Sequence, residues 1–192
     1  ISIFGTPNSK GSLLRSGAKV GDGIFVSGTI GDAALGLMLR GNMSLLCSSK
    51  ENSYCISRYR IPRPRIDLGL ALGGMASAAM DISDGLFQDL SHLCGASNVS
   101  GSVQANKIPL SKEVSSFVNE NKFSIEQVIS GGDDYELIFT APLTKENSIF
   151  NLARATKTRI TRIGTIQSGK GISIFDKNGN ILPFSKGGYS HD

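Results

Sequence analysis

Two carboxylates and a hydroxyl lie close together in the segment Asp81-Ile82-Ser83-Asp84-Gly85. The small residues before it predict a strand that ends at Asp81, and the apolar pattern after it predicts a helix that begins near Asp84. Such a loop places its oxygen atoms beside the free N–H groups of a helix N-terminus. Magnesium prefers hard oxygen ligands of this kind, completed by waters and phosphate oxygens. The alternative is that Ser83 or Asp84 only caps the helix and Asp81 is a turn residue, and spacing alone favours this alternative.

A second acidic segment, Gly131-Gly132-Asp133-Asp134, precedes a predicted strand that begins at Tyr135. Paired glycines allow a sharp turn, and the acids after it could bind a metal or accept hydrogen bonds from a cationic substrate. Because adjacent side chains on a strand face opposite ways, we expect one of the two aspartates to be structural. An ordinary turn before a strand is the alternative interpretation.

A third group of chemically active residues is the basic run Arg58, Arg60, Arg63 and Arg65, which surrounds two prolines. Such a run could contact phosphates of a nucleotide or of nucleic acid. It contains only Tyr59 as a stacking group, and no nucleic-acid module surrounds it. We therefore interpret it as a solvated connector and rank a nucleic-acid function last.

Helices and strands are mixed along the whole chain, which predicts an α/β or α+β fold with helices layered on a mixed sheet. The clearest helix is expected over Asp84–Cys94, with an apolar face and a polar face of Gln88, Asp89, Ser91 and His92. Other elements are expected at Ile24–Val26, from Gly31 onward, from Pro64 through Ala71 to a stop at Gly73-Gly74, and at Ser77–Asp81, Val103–Gln104, Ser111–Asn119, Tyr135–Thr140, Asn147–Thr156, Thr161–Ile166 and Gly171–Phe175. Between Arg40 and Ile66 the pattern predicts a connector, or a helix followed by a connector.

Composition excludes several classes of protein. The chain has 192 residues, of which 40% are apolar and 19% charged, as in ordinary globular domains. No apolar stretch has the ~20 residues that a membrane span needs. The three cysteines lack zinc-site spacing and are expected to be reduced thiols in the cytoplasm. The net charge of +4 does not distinguish among anionic partners.

An ordered set of motifs resembles the thiamine-monophosphate kinases from about Arg15 to the end of the chain. The motifs are Leu14–Asp22 (LRSGAKVGD), Val26–Asp32 (VSGTIGD), Arg63–Arg65 (RPR), Met80–Leu86 (MDISDGL), Ser130–Leu137 (SGGDDYEL) and Gly188–Tyr189 (GY). That family belongs to the aminoimidazole-ribonucleotide-synthetase-like superfamily. The chain resembles its C-terminal α/β domain, expected over residues 15–192, with residues 1–14 as a lead from the other half.

The resemblance implies transfer of the γ-phosphoryl group of ATP to thiamine monophosphate, giving thiamine diphosphate. It implies Asp81 and Asp84 as magnesium ligands, Ser83 and Arg15 as nucleotide contacts, and Asp133 and Tyr189 as contacts to thiamine phosphate. It also implies a homodimer in the full-length form, and no nucleic-acid or membrane partner.

The chain departs from the family pattern in two respects. Gly188-Tyr189-Ser190-His191 stands where the family has a sequence like Gly-Tyr-Asp-His, and the acidic Gly-Asp-Asp-Ala-type motif of the N-terminal half is absent. We therefore expect this chain to be inactive without an N-terminal half. The alternatives are a non-catalytic domain that binds thiamine phosphate or a partner chain, and a purine-pathway ATP-dependent synthetase of the same superfamily.

Overall fold

The computed structural model describes residues 2, 4–6, 11–41 and 50–184, and for residues 50–53 only the backbone. Six strands form one mixed sheet in the order β2-β4-β1-β5-β3-β6. The strands are β1 (Asp22–Ser27), β2 (Ala78–Asp81), β3 (Ser100–Gln104), β4 (Leu137–Pro142), β5 (Ile160–Gln167) and β6 (Gly171–Phe175). All neighbouring pairs are antiparallel except β3 and β6, which are parallel.

Seven helices in the described residues cover this sheet. They are α1 (Asp32–Gly41), α2 (Lys50–Arg60), α3 (Ile66–Ala71), α4 (Leu86–Ser97), α5 (Lys112–Asn119), α6 (Ile125–Ser130) and α7 (Glu146–Ala155). Two hydrophobic clusters hold the layers together. The larger cluster includes the apolar faces of α1 and α4, and the smaller one packs Leu68 of α3 and Ile149 of α7 on the stacked rings of Phe25 and Phe139. The mixed α/β fold class expected from the sequence is thus confirmed.

The segment between Arg40 and Ile66 contains α2, which ends at Arg60 before the prolines, so the second of the two sequence alternatives is correct. Helix α6 was not predicted, although Ser124 and Gln127 form a reciprocal capping box that marks its start. Strand β4 begins at Leu137, two residues later than expected, because Tyr135 has a φ of 49° and cannot continue a strand.

The expected boundary at residue 14 stays a prediction. Residue Leu14 lies beside the outer edge of β2, where its carbonyl accepts a hydrogen bond from Ala79 N at 2.9 Å. Among the described residues, no helix is both long and apolar enough to cross a membrane.

Candidate active site

The two acidic loops meet because β2 and β4 are antiparallel neighbours. Asp81, the last residue of β2, pairs with Leu137, the first residue of β4. The loop that leaves β2 and the loop that enters β4 must therefore lie at the same edge of the sheet. Sequence spacing could not show this, because about fifty residues separate the loops along the chain.

Backbone hydrogen bonds continue this pairing beyond the strands. Asp133 N donates to Ser83 O at 2.9 Å, and Tyr135 N donates to Ile82 O at 2.8 Å. Gly132 lies so close that a Cβ atom there would be 2.4 Å from Ser83 O, well inside van der Waals contact. The two loops therefore form one unit, and a side chain at residue 132 would force them apart.

A cleft of about 600 Å³ opens over this unit. Its lining residues are Leu37, Tyr59, Ser83, Asp84, Ser130, Gly132, Asp133 and Tyr135. The structure thus brings together three of the residues singled out by the sequence, namely Ser83, Asp84 and Asp133. Asp81 is exposed at the end of β2, immediately before this loop.

Tyr135 lies among the acidic side chains at the cleft. Its pKa is raised, first by burial and then by the charge of Asp133, with further contributions from Asp81 and Asp84. These carboxylates therefore act on one hydroxyl group and create a region of negative potential. Asp133 and Tyr135 also have φ angles of 68° and 49°, a left-handed conformation that is uncommon for residues other than glycine.

The first loop is anchored by Asp89. One oxygen of this carboxylate, Oδ2, accepts hydrogen bonds from Ser83 N at 2.9 Å and Asp84 N at 3.0 Å. Asp89 is only 1% exposed, and burial raises its pKa to about 6. The expectation that Asp89 lies on the polar, outward face of its helix is therefore wrong. The helical pattern predicted the wrong environment for Asp89 because a side chain in the first turn can reach back to the preceding loop.

The cap interpretation of Ser83 and Asp84 is also wrong. The N-cap of α4 is Gly85, which has a φ of 110° and makes no side-chain cap hydrogen bond. A Cβ at this residue would be 2.6 Å from Ser130 O, so only glycine fits. The side chains of Ser83 and Asp84 are thus left for other contacts.

The second loop is anchored by Asp134, which confirms that one of its two aspartates is structural. Asp134 is fully buried, and its carboxylate accepts hydrogen bonds from Gly31 N at 2.7 Å and Ala33 N at 3.0 Å, at the start of α1. Burial raises its pKa to about 7, even though both hydrogen bonds favour the charged form.

Glu136 forms a buried ion-pair network just after this loop. Arg65 binds its carboxylate through two hydrogen bonds of 2.7 and 2.6 Å, and Arg58 Nη2 donates to Oε1 at 3.0 Å. Ser27 Oγ donates to Oε2 at 2.6 Å. Arg58 also donates to the carbonyl of Asp134 at 2.9 Å, so the network holds the loop backbone as well.

The interpretation of the arginine run as a solvated connector is therefore wrong for two of its members. Arg58 is 4% exposed and Arg65 is 22% exposed, because both turn inward to Glu136. The run lies on α2 and on the segment before α3, which bring it beside the start of β4. The available signal was Glu136, an acid near the start of a predicted strand whose other residues are mostly apolar.

Besides Asp81, two predicted site residues are not placed in the cleft. Arg15 is exposed and is not among the residues that line the cleft. Tyr189 lies outside the described residues.

Asp81 and Asp84 are the candidate ligands for magnesium. Among the described residues, no three His, Cys, Asp or Glu side chains are grouped to hold one metal ion. Magnesium normally takes one or two protein carboxylates and completes its shell with waters and substrate phosphate oxygens. Asp81 and Asp84, which both act on Tyr135 at the cleft, fit such a partial set of ligands.

Comparison with known proteins identifies the family. The family described as AIR synthase related protein, C-terminal domain, matches residues 19–177, a range that includes both acidic loops. The chain belongs to this family. The C-terminal domain fold that the sequence motifs implied is thereby confirmed.

Two proteins to which the chain is similar are thiamine-monophosphate kinases. The chain is 38% identical to thiamine-monophosphate kinase from Buchnera aphidicola subsp. Schizaphis graminum, over 100% of this chain and 59% of that protein. It superposes on the crystal structure of thiamine-monophosphate kinase from Stenotrophomonas maltophilia K279a with a TM-score of 0.81 and 35% identity, covering 92% of this chain and 56% of that one.

A further solved structure carries ligands. The structure described as AaThiL complexed with AMPPCP and TMP matches with a TM-score of 0.79 and 35% identity, over 94% of this chain and 54% of that chain. The present chain thus spans somewhat more than half the length of each of these three proteins.

Proposed function

We propose that this domain belongs to a thiamine-monophosphate kinase, which transfers the γ-phosphoryl group of ATP to thiamine monophosphate and forms thiamine diphosphate. The observation that carries this proposal is the 38% identity to a curated thiamine-monophosphate kinase along the whole of this chain. The meeting of the two acidic loops at one cleft supports it, since phosphoryl transfer depends mainly on positioning and neutralisation of charge.

The first loop is proposed to bind the nucleotide. Asp81 and Asp84 would hold magnesium, and the Ser83 hydroxyl would contact the nucleotide. When bound, the magnesium ion would neutralise charge on the phosphate oxygens. The geometry supports a role for this loop because Asp89 takes up its backbone N–H groups and leaves its side chains available. Arg15 is proposed as a second nucleotide contact, on the basis of the motif alone.

The second loop is proposed to bind thiamine monophosphate. Asp133 lines the cleft, and its carboxylate could pair with the positively charged thiazolium ring. Its left-handed backbone lies next to Asp134, whose carboxylate anchors the loop to the start of α1. Tyr189 is proposed to stack on the same ring, on the basis of the motif alone.

An assay of the full-length protein with ATP, magnesium and thiamine monophosphate tests this proposal, with thiamine diphosphate and ADP as the expected products. We expect Asp84→Asn to lower kcat/KM about 100-fold or more, because a carboxylate that neutralises phosphate-bound charge is lost. Glu126→Gln, on the exposed side of α6, is a control that should retain activity.

Formation of no thiamine diphosphate by the wild-type protein would overturn the proposal. The same assay should include the substrates of purine-pathway synthetases, because turnover of those alone would favour that alternative. Calorimetric binding of thiamine monophosphate without turnover by the full-length protein would instead favour a non-catalytic binding domain.

Three further properties are proposed together. The full-length protein is a homodimer, it works in the cytoplasm, and the present 192-residue chain alone is inactive. The free buried thiols of Cys55 and Cys94 support a reducing compartment. The proposed inactivity of the isolated chain is supported by the partial set of carboxylates at the cleft and by the greater length of the similar kinases. Sedimentation of the full-length protein tests the dimer, and an assay of the isolated chain tests its inactivity.

A further inference from the structure

Ser83 is held from both sides of its peptide backbone. Its N–H group donates to Asp89 Oδ2, and its carbonyl accepts a hydrogen bond from Asp133 N. Asp84 N donates to the same Asp89 oxygen. The side chains that the proposed function assigns to nucleotide and metal therefore project from a backbone whose position depends on one buried carboxylate.

The N-cap residue of α4 cannot supply this acceptor. Gly85 has no side chain and occupies the N-cap position of α4, where a Cβ would collide with Ser130 O. The acceptor comes instead from within the helix, five or six residues along the chain from the two N–H groups that it binds. The first turn of α4 thereby holds the backbone of the loop in place.

We propose that Asp89 is a positioning residue, which sets the orientation of Ser83 and Asp84 toward the nucleotide and its metal. This inference rests on the proposed kinase function for its consequence, but the anchoring itself does not. Groups that orient metal ligands typically change metal affinity or activity by about 10- to 100-fold when they are removed.

The test uses the full-length protein and two variants of the same residue. Asp89→Ala removes the acceptor, whereas Asp89→Asn keeps an acceptor oxygen in nearly the same place. We expect Asp89→Ala to raise the magnesium concentration at half-maximal activity about tenfold or more, and to weaken binding of Mn2+ to a similar degree. Asp89→Asn should restore both values to within about threefold of wild type.

Ser111→Ala provides the matched control. The Ser111 hydroxyl caps α5 by accepting a hydrogen bond from Val114 N, and Ser111 is not among the residues that line the cleft. Its loss should lower thermal stability without changing the requirement for magnesium. This control separates a general loss of helix stability from a loss of loop position.

Hydrogen exchange provides a measurement that does not depend on catalysis. The amides of Ser83 and Asp84 should exchange faster in Asp89→Ala and should remain protected in Asp89→Asn. Unchanged protection in Asp89→Ala would overturn the proposal, and so would faster exchange with an unchanged affinity for Mn2+. If the wild-type protein bound no Mn2+, the metal assignment would fail, while faster exchange confined to this loop would still support Asp89 as its anchor.

Discussion

The two acidic loops at the cleft have similar sequences but are held by different means. The loop after β2 carries Asp81 and Asp84 at accessible positions and depends on one carboxylate, Asp89, for its anchor. The loop before β4 keeps only Asp133 at the cleft. Its other two acids, Asp134 and Glu136, are buried and bind α1 and two arginines.

This difference shows that an acidic residue beside a candidate ligand site can either contact the ligand or support the backbone. A backbone that must hold Asp133 and Tyr135 in the left-handed region needs strong support from its surroundings, because such conformations cost about 1–3 kcal/mol each. The first loop contains no such residue other than Gly85, for which a positive φ is ordinary. The single carboxylate of Asp89 is therefore enough to anchor it.

The largest effect is expected when the buried ion pairs of Glu136, which support the second loop, are removed. Glu136→Ala leaves Arg58 buried without its carboxylate partner and should lower the free energy of unfolding by about 3–5 kcal/mol. Denaturation with urea measures this change. The control is Glu120→Ala, which removes an exposed ion pair with Lys122 and should hardly alter the unfolding midpoint. Equal effects of the two substitutions would contradict the difference in anchoring.

A smaller effect is expected when the contact between the loops is disturbed. In Gly132→Ala, the new methyl group meets Ser83 O and should push the loops apart, which lowers kcat/KM about 10- to 100-fold. Gly95→Ala on α4 is the matched control, because its Cβ would enter open space. The measurement is kcat/KM of both variants with saturating magnesium, and we expect a loss in Gly132→Ala only. A fully active Gly132→Ala variant would show that the loops need not touch.

The smallest effect concerns the pH dependence of stability. Because burial raises the pKa of Asp134 to about 7, the folded protein keeps a proton there that the unfolded chain has already released above about pH 4. This contribution to stability is complete below about pH 4 and is lost as pH rises toward 7. Stability should therefore fall more steeply over that range in wild type than in Asp134→Asn, by at most about 1.4 kcal/mol per pH unit, the change that one proton produces. Parallel curves from urea denaturation at several pH values would contradict this expectation.

Local sequence patterns predicted most of the fold, because apolar periodicity reports which face of a helix or strand is buried. The pattern placed α4, α5, β5 and β6 within a few residues of their observed bounds. It missed the short helix α6, whose six residues carry too little periodicity to detect, and it began β4 at Tyr135, whose conformation depends on contacts with the other loop.

The chemical groups of the candidate site, and the two loops that carry them, could be predicted from the sequence. Which of the acids face the cleft and which support it depends on tertiary contacts that sequence patterns do not show. Asp89, Arg58 and Arg65 were expected at the surface and are buried or partly buried instead, each with a hydrogen-bonding partner. The physical reason is that a charged side chain is buried only where a partner offsets its loss of solvation, and for the arginines that partner, Glu136, lies more than seventy residues away along the chain.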